Sequence, residues 1–143
     1  MAITQALPNS FKKQLLDGDQ DFSSAGGDKF KLALYVSTAT LGASTTAYTS
    51  TGEVAASGDY VAGGKALVNS GTSVVSTVAF TDFSDLSFTG VTITARGALI
   101  YNTSFSNAAV AVLNFVTDKT ATAGTFTIQF PAFTSTAAII RIS

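Results

Sequence analysis

Residues 125–130, TFTIQF, carry the clearest structural pattern in the chain and decide its fold class. Every second residue in this stretch is apolar, namely Phe126, Ile128 and Phe130, and the residues between them are polar. Successive side chains of a β-strand point to opposite faces of the sheet, so this alternation predicts a half-buried strand.

The same two-residue period recurs through the rest of the chain. Residues 30–38 alternate in the same way, and residues 109–116 are apolar on both faces apart from Asn114, which predicts a central strand covered on both sides. Further strands are predicted at residues 73–80, at residues 91–95 with a continuation through residue 101, and at residues 138–142.

Short strands separated by Gly, Ser and Asn, with no alternation of strands and helices, are typical of antiparallel architectures. Gly97 interrupts an apolar stretch, which predicts a bulge or a corner within a continuing strand. We therefore expect an all-β fold, either an antiparallel β-sandwich or a jelly roll. At 143 residues the chain is long enough for one such domain, spanning residues 1–143.

A short helix is predicted near the start of the chain, within an N-terminal arm of residues 1–22. Phe11, Leu15 and Leu16 fall on one helical face, and Asn9 or Ser10 can cap the segment. Gly18 is well placed to end it. Since two helical turns are marginal alone, we expect this helix to lean on the sheet or on a neighbouring subunit.

Residues 41–71 lack a clear period and are rich in Gly, Ser and Thr. Loops longer than about 12 residues are uncommon in compact domains unless they are functional or ordered by a partner. We therefore expect a long loop, or a hairpin around residues 60–68, that projects from the sandwich and forms a contact surface.

The charge content excludes several classes of partner. Charged residues make up 12% of the chain and the formal net charge is −1, without the clustered basic face that binding to nucleic acid requires. No apolar run approaches the roughly 20 residues that span a bilayer. Residues 1–7 also lack the pattern of a secretory signal, so we expect synthesis in a cytoplasm followed by assembly.

The chain contains no His and no Cys, which removes the commonest nucleophiles, bases and metal ligands. Asp17, Asp19 and Asp21, with Asp28 twelfth in the series, resemble the spacing of a calcium loop. Phe22 occupies the sixth position, where such loops need Gly. We therefore interpret these carboxylates as solvated turn residues and expect no metal and no cofactor.

A second acidic pair, Asp82 and Asp85, is interpreted as exposed turn residues that cap local backbone groups. Arg96 and Arg141 each lie in or beside an apolar strand, where an arginine either faces solvent or reaches a carboxylate, including one on another chain. With no site for chemistry, we expect a protein that is not an enzyme. The candidate subunit contacts are Phe11, Leu15, Phe22, Tyr48, Tyr60, Arg96 and Arg141.

Four stretches together resemble small virion proteins of tailed bacteriophages: SFKKQLLDGDQDF, DKFKLALYVSTATLGASTTAY, VTITARGALIYN and TFTIQFPAFTSTAAIIRIS. The resemblance implies a capsid decoration (cement) protein, a homotrimer on the outer surface of the capsid that clamps junctions of the major capsid protein. It implies assembly in the host cytoplasm. The scattered charges and short apolar runs, and not the resemblance, lead us to expect no nucleic-acid and no membrane partner.

Two alternatives stay open at this stage. A tail or fibre component could use hydroxyl-rich loops to contact the host surface. A carbohydrate-binding module or a polysaccharide-active enzyme is the other, because β-sandwiches carry such sites and two carboxylates suffice for glycoside hydrolysis.

Overall fold

The computed structural model describes residues 2–143 and shows one short helix and two antiparallel sheets. Met1, the first residue of the predicted N-terminal arm, lies outside the described residues. The elements in chain order are α1 (Asn9–Asp17), β1 (Phe30–Tyr35), β2 (Lys65–Ala66), β3 (Asn69–Val75), β4 (Val78–Phe83), β5 (Leu86–Asn102), β6 (Ala108–Ile128) and β7 (Ile140–Ile142). The larger sheet has the order β2-β1-β5-β6 and the smaller one the order β3-β4-β7. The predicted all-β fold with a short N-terminal helix is confirmed.

Strands β5 and β6 form a long hairpin that dominates the larger sheet. The pairing register shifts between Ala95 and Gly97, as predicted for a bulge at Gly97, and shifts again further along the hairpin. Val116 and Ala123 take positive φ angles of 71° and 45° in β6. Bulges bend a strand and increase its twist, so the hairpin curves along its length.

Two sequence predictions about β6 are wrong. Residues 109–116 and 125–130 were expected to be separate strands, whereas β6 runs unbroken as Ala108–Ile128. It was also expected to be central, but β6 is the outer strand of its sheet. Its first five residues are nevertheless buried, because the N-terminal segment covers this end of the strand through a bridge between Ala6 and Val112.

The predicted strand at residues 73–80 is instead a hairpin of β3 and β4. Val75 pairs with Val78 across a turn at Ser76 and Thr77, and Ser76 has a φ of 54°. The turn went unpredicted because it contains none of the Gly, Pro, Asn or Asp residues that usually mark one.

Apolar side chains cover both faces of the larger sheet. The main core lies on one face and includes Phe11, Phe22, Phe30, Phe83 and Phe88. The rings of Phe22 and Phe30 stack with centroids 4.7 Å apart. A second cluster on residues of the opposite face joins the N-terminal segment and the Leu41 region to β1, β5 and β6. Both faces of the β1 strand are therefore buried.

Helix α1 ends at Gly18 as predicted, with a left-handed φ of 80°. The predicted cap is wrong, because Pro8 precedes the helix and no side chain of the Asn9–Ser10 pair caps it. Phe11 anchors the helix in the main core.

Residues 41–71 fold back onto the sheet and do not project as predicted. Glu53 forms a bridge with Tyr35 of β1, and Ala47 forms one with Ala108 of β6. Leu41, Val54 and Tyr60 are buried, and β2 adds a short fourth strand beside β1. These three buried side chains help to hold the segment against the sheet, whereas Val61 and Val68 face solvent.

Candidate interaction surfaces

Three of the seven predicted subunit contacts are core residues. Phe11 and Tyr60 are fully buried and Phe22 nearly so, all within the main core of their own chain. They pack within their own chain and offer little surface to another subunit in this conformation, and we correct the prediction for these three. The number of aromatic residues in a sequence does not show which of them the chain buries in its own core.

Tyr48 is half-buried and belongs to a hydrogen-bonded network around Glu53. The Tyr48 and Tyr60 hydroxyls each donate to the Glu53 carboxylate at 2.6 Å, and the Gly63 N–H donates to it at 2.7 Å. The Tyr60 hydroxyl also accepts a hydrogen bond from the Leu34 N–H at 2.9 Å. This Glu53 network ties residues 48–63 to β1.

The remaining two tyrosines extend the Glu53 network to both ends of the segment. The Tyr35 hydroxyl donates to the Thr49 carbonyl and the Tyr101 hydroxyl to the Gly63 carbonyl, both at 2.6 Å. Burial raises the pKa of Tyr35 and Tyr101, and it raises that of Tyr48 to about 12. Because the neutral phenols are held as donors, the arrangement supports the structure of this segment.

Glu53 is not among the residues predicted from the sequence to form a site. It is the chain's single glutamate and lies in the sequence between Tyr48 and Tyr60. This position was the one signal in the sequence that could have indicated its role. The network itself could not be found in the sequence because its members come from distant positions that only the tertiary fold brings together.

Leu15 and Phe22 line a cleft between α1 and the smaller sheet, with Thr72, Ala79 and Ile142 on the sheet side. This helix–sheet cleft has a volume of about 330 Å³. Leu15 is half-buried in it, whereas the neighbouring Leu16 is 91% exposed. The predicted contact role of Leu15 is compatible with this placement.

The β3–β4 hairpin ends in exposed valines. Val74 lies opposite Ala79, which lies opposite Ile142, so the three side chains form one row across the smaller sheet. Val74 is 65% exposed and Ile142 56%. We call residues 72–78 the valine tip. Neighbouring exposed apolar groups of this kind mark sites of interaction more clearly than scattered ones do.

A wide groove runs along β6, and apolar and polar residues line it in equal number. We call it the phenyl groove; its volume is about 640 Å³, and its apolar lining consists of Leu113, Phe115, Phe126, Ile128, Phe130, Pro131 and Ile139. Lys119 is the one charged residue in its lining. The groove was not predicted from the sequence, because the groove forms only where strand β6 bends.

The two predicted arginine contacts differ in their surroundings. The Arg96 guanidinium donates to the Asp118 carboxylate at 2.8 Å, linking β5 to β6 within the chain. Arg141 in β7 is exposed, and among residues 2–143 no carboxylate lies within ion-pair distance of it. Arg141 is therefore the freer of the two to pair with another chain.

The carboxylates of the calcium-like stretch serve local structure. Asp17 pairs with Lys13 one helical turn away. A hydrogen bond from Ser23 lowers the pKa of Asp21, and Asp28 accepts from both the Asp21 N–H and the Asn102 amide. Within residues 2–143, no group of three or more acidic side chains is arranged to hold a metal.

The prediction that Asp82 is an exposed turn residue is wrong. It lies in β4 and is 1% exposed, and one of its carboxylate oxygens has no hydrogen-bond partner. Burial raises its pKa, so its charged form costs stability at neutral pH. Asp85 is exposed and accepts a hydrogen bond from the Phe130 N–H at 2.8 Å, which anchors the end of the phenyl groove.

Comparison of the chain with protein-family models, with curated proteins and with solved structures found no match. None of the helices in residues 2–143 is long and apolar enough to cross a membrane.

Proposed function

We propose that this protein is a structural component of a tailed-bacteriophage virion, a decoration protein that binds over junctions of the major capsid protein and stabilises the assembled shell. The observation that carries the proposal is the set of exposed large apolar side chains on a weakly charged surface. Leu16, Val74 and Val116 are 91%, 65% and 74% exposed, and such groups are stabilised when an assembly covers them.

The proposed mechanism is mass action. A protein that binds only the assembled shell favours that state over dissociated subunits, without any chemical reaction. Many copies on one particle, grouped as homotrimers, bind with avidity, so each contact can be modest in area. A surface built from apolar and hydroxyl groups suits this role because its contacts depend little on salt.

Helix α1 is the surface that we assign to the capsid. Phe11 fixes the helix to the core, while Leu16 points to solvent beside the exposed Lys12 and Lys13. The resulting face has one exposed apolar side chain, Leu16, with charged residues around it, and we propose that this leucine lies at the centre of the contact.

Replacing Leu16 with Asp is expected to weaken binding to decoration-free heads about tenfold, because it places a charge in the apolar centre of the contact. Co-sedimentation of purified variants with such heads measures the change. Thr122→Asp, which adds a charge at an exposed residue of β6, is the matched control and should bind as the unaltered protein does. Equal binding by both variants would contradict the assignment of α1 to the capsid.

One observation favours a second candidate, a tail or fibre component or a carbohydrate-binding module. Hydroxyl side chains line the exposed face of the β5–β6 hairpin, where Ser87 pairs with Thr127 and Thr94 with Thr120, each at 3.0 Å. These hydroxyls could meet a glycan. Titration with host-surface polysaccharide distinguishes the candidates, since saturable binding on this face would favour the second.

A further inference from the structure

Two apolar surfaces of the chain have opposite shapes and neither is covered by the chain itself. The valine tip is a protrusion, and residues 72–77 are all exposed. The phenyl groove is a depression of about 640 Å³.

The valine tip is apolar on both of its faces. Val74 shares one face with Ala79 and Ile142, while Val75 and Val78 lie opposite each other on the other face. Val75 is 53% exposed, so the end of the hairpin has no core beneath it on either side. Residues 69–81 contain no charged side chain, so the whole hairpin can enter an apolar site without desolvating an ion.

The phenyl groove lies beside an open sheet edge. Strand β6 is the outer strand of its sheet, and within residues 2–143 no strand pairs with its outer side beyond Asn114. Open edges invite pairing with another strand, and β3 is itself the outer strand of the smaller sheet. A hairpin seated in the groove could therefore pair β3 with the end of β6 while its valines fill the apolar lining.

We propose that the phenyl groove of one copy receives the valine tip of a second copy. An uncharged protrusion that carries both valines and hydroxyl side chains matches a groove in which Lys119 is the one charged lining residue and the rest are apolar or uncharged polar residues. Every copy supplies both surfaces in equal number. Because the two surfaces differ, the contact is head-to-tail, and repeating it closes a ring when the rotation allows. This inference rests on the self-association in the proposed function and names the surfaces that form it.

The absence of cysteine makes cross-linking a clean test. Val75→Cys labels the tip, Gln129→Cys labels the groove, and Ser50→Cys labels an exposed turn outside both. Under a mild oxidant, a mixture of the Val75→Cys and Gln129→Cys proteins should give covalent dimers, and the doubly substituted protein should give covalent trimers. The Ser50→Cys protein mixed with either one should give none.

Sedimentation velocity of the purified chain provides the second measurement. Val75→Asp should lower the association constant at least tenfold, whereas Val68→Asp, at a valine of similar exposure outside the tip, should leave it unchanged. A chain that stays monomeric at all concentrations would overturn the inference, as would dimers cross-linked through Val75→Cys alone. Finding a capsid segment in the groove of a reconstructed particle would also overturn it, while leaving the decoration function intact.

Discussion

Replacing Glu53 with Ala is expected to destabilise the protein by about 3 kcal/mol, lowering its melting temperature by roughly 10 °C. The substitution leaves the hydroxyls of Tyr48 and Tyr60 and the N–H of Gly63 without their shared acceptor. Since buried donors without partners cost far more than a normal hydrogen bond contributes, the loss exceeds that of an ordinary surface change. Thermal unfolding followed by circular dichroism measures it.

Glu53→Gln is the matched variant, because it keeps one acceptor oxygen while it removes the charge and replaces the second acceptor oxygen with an NH2 group. Hydrogen bonds to a charged acceptor are roughly twice as strong as neutral ones, so we expect this variant to lose about 1 kcal/mol. If Glu53→Ala were as stable as the unaltered protein, the Glu53 network would not be what holds residues 41–71 on the sheet.

Replacing Gly64 with Ala is expected to cost more than about 4 kcal/mol and to prevent folding at 37 °C. Gly64 has a φ of 80°, and a Cβ atom there would lie 1.8 Å from the Leu32 carbonyl oxygen of β1. Neither backbone can move aside, because Leu32 is paired with Lys65 on one side and Ile100 on the other. Expression level, circular dichroism and thermal unfolding report the outcome.

Gly26→Ala separates the steric clash from the backbone strain. Gly26 has nearly the same φ, 79°, but a Cβ atom there would meet nothing within 4 Å. We expect a loss of about 1 kcal/mol, the ordinary penalty for a left-handed non-glycine residue. Equal effects at the two glycines would show that residues 63–66 are not packed against β1 as described.

The alternation of apolar residues was enough to predict the fold class. The alternation correctly predicted β1 and the later part of β5. The helix ends at Gly18, as predicted from the conformational freedom of glycine. The turn at Ser76 was missed because neither Ser76 nor Thr77 is a strong turn former. The continuity of β6 was not predicted because the polar residues in the middle of this strand resemble a loop.

The interaction surfaces were harder to predict for a physical reason. Phe11, Phe22 and Tyr60 are as apolar as any contact residue, and only packing shows that the chain buries them. The phenyl groove lies along a strand with positive φ at Val116 and Ala123, and these residue types do not indicate such a backbone conformation. Four of the seven residues remain predicted contacts, since the structure leaves each at least partly exposed: Leu15, Tyr48, Arg96 and Arg141.

The central claim is that this chain acts by assembling on a phage head. Its copy number on separated heads and tails of purified particles, counted by quantitative mass spectrometry, tests that claim most directly. We predict copies in the hundreds on heads and none on tails. Heads that lack the chain, or a few copies confined to tails, would contradict the account.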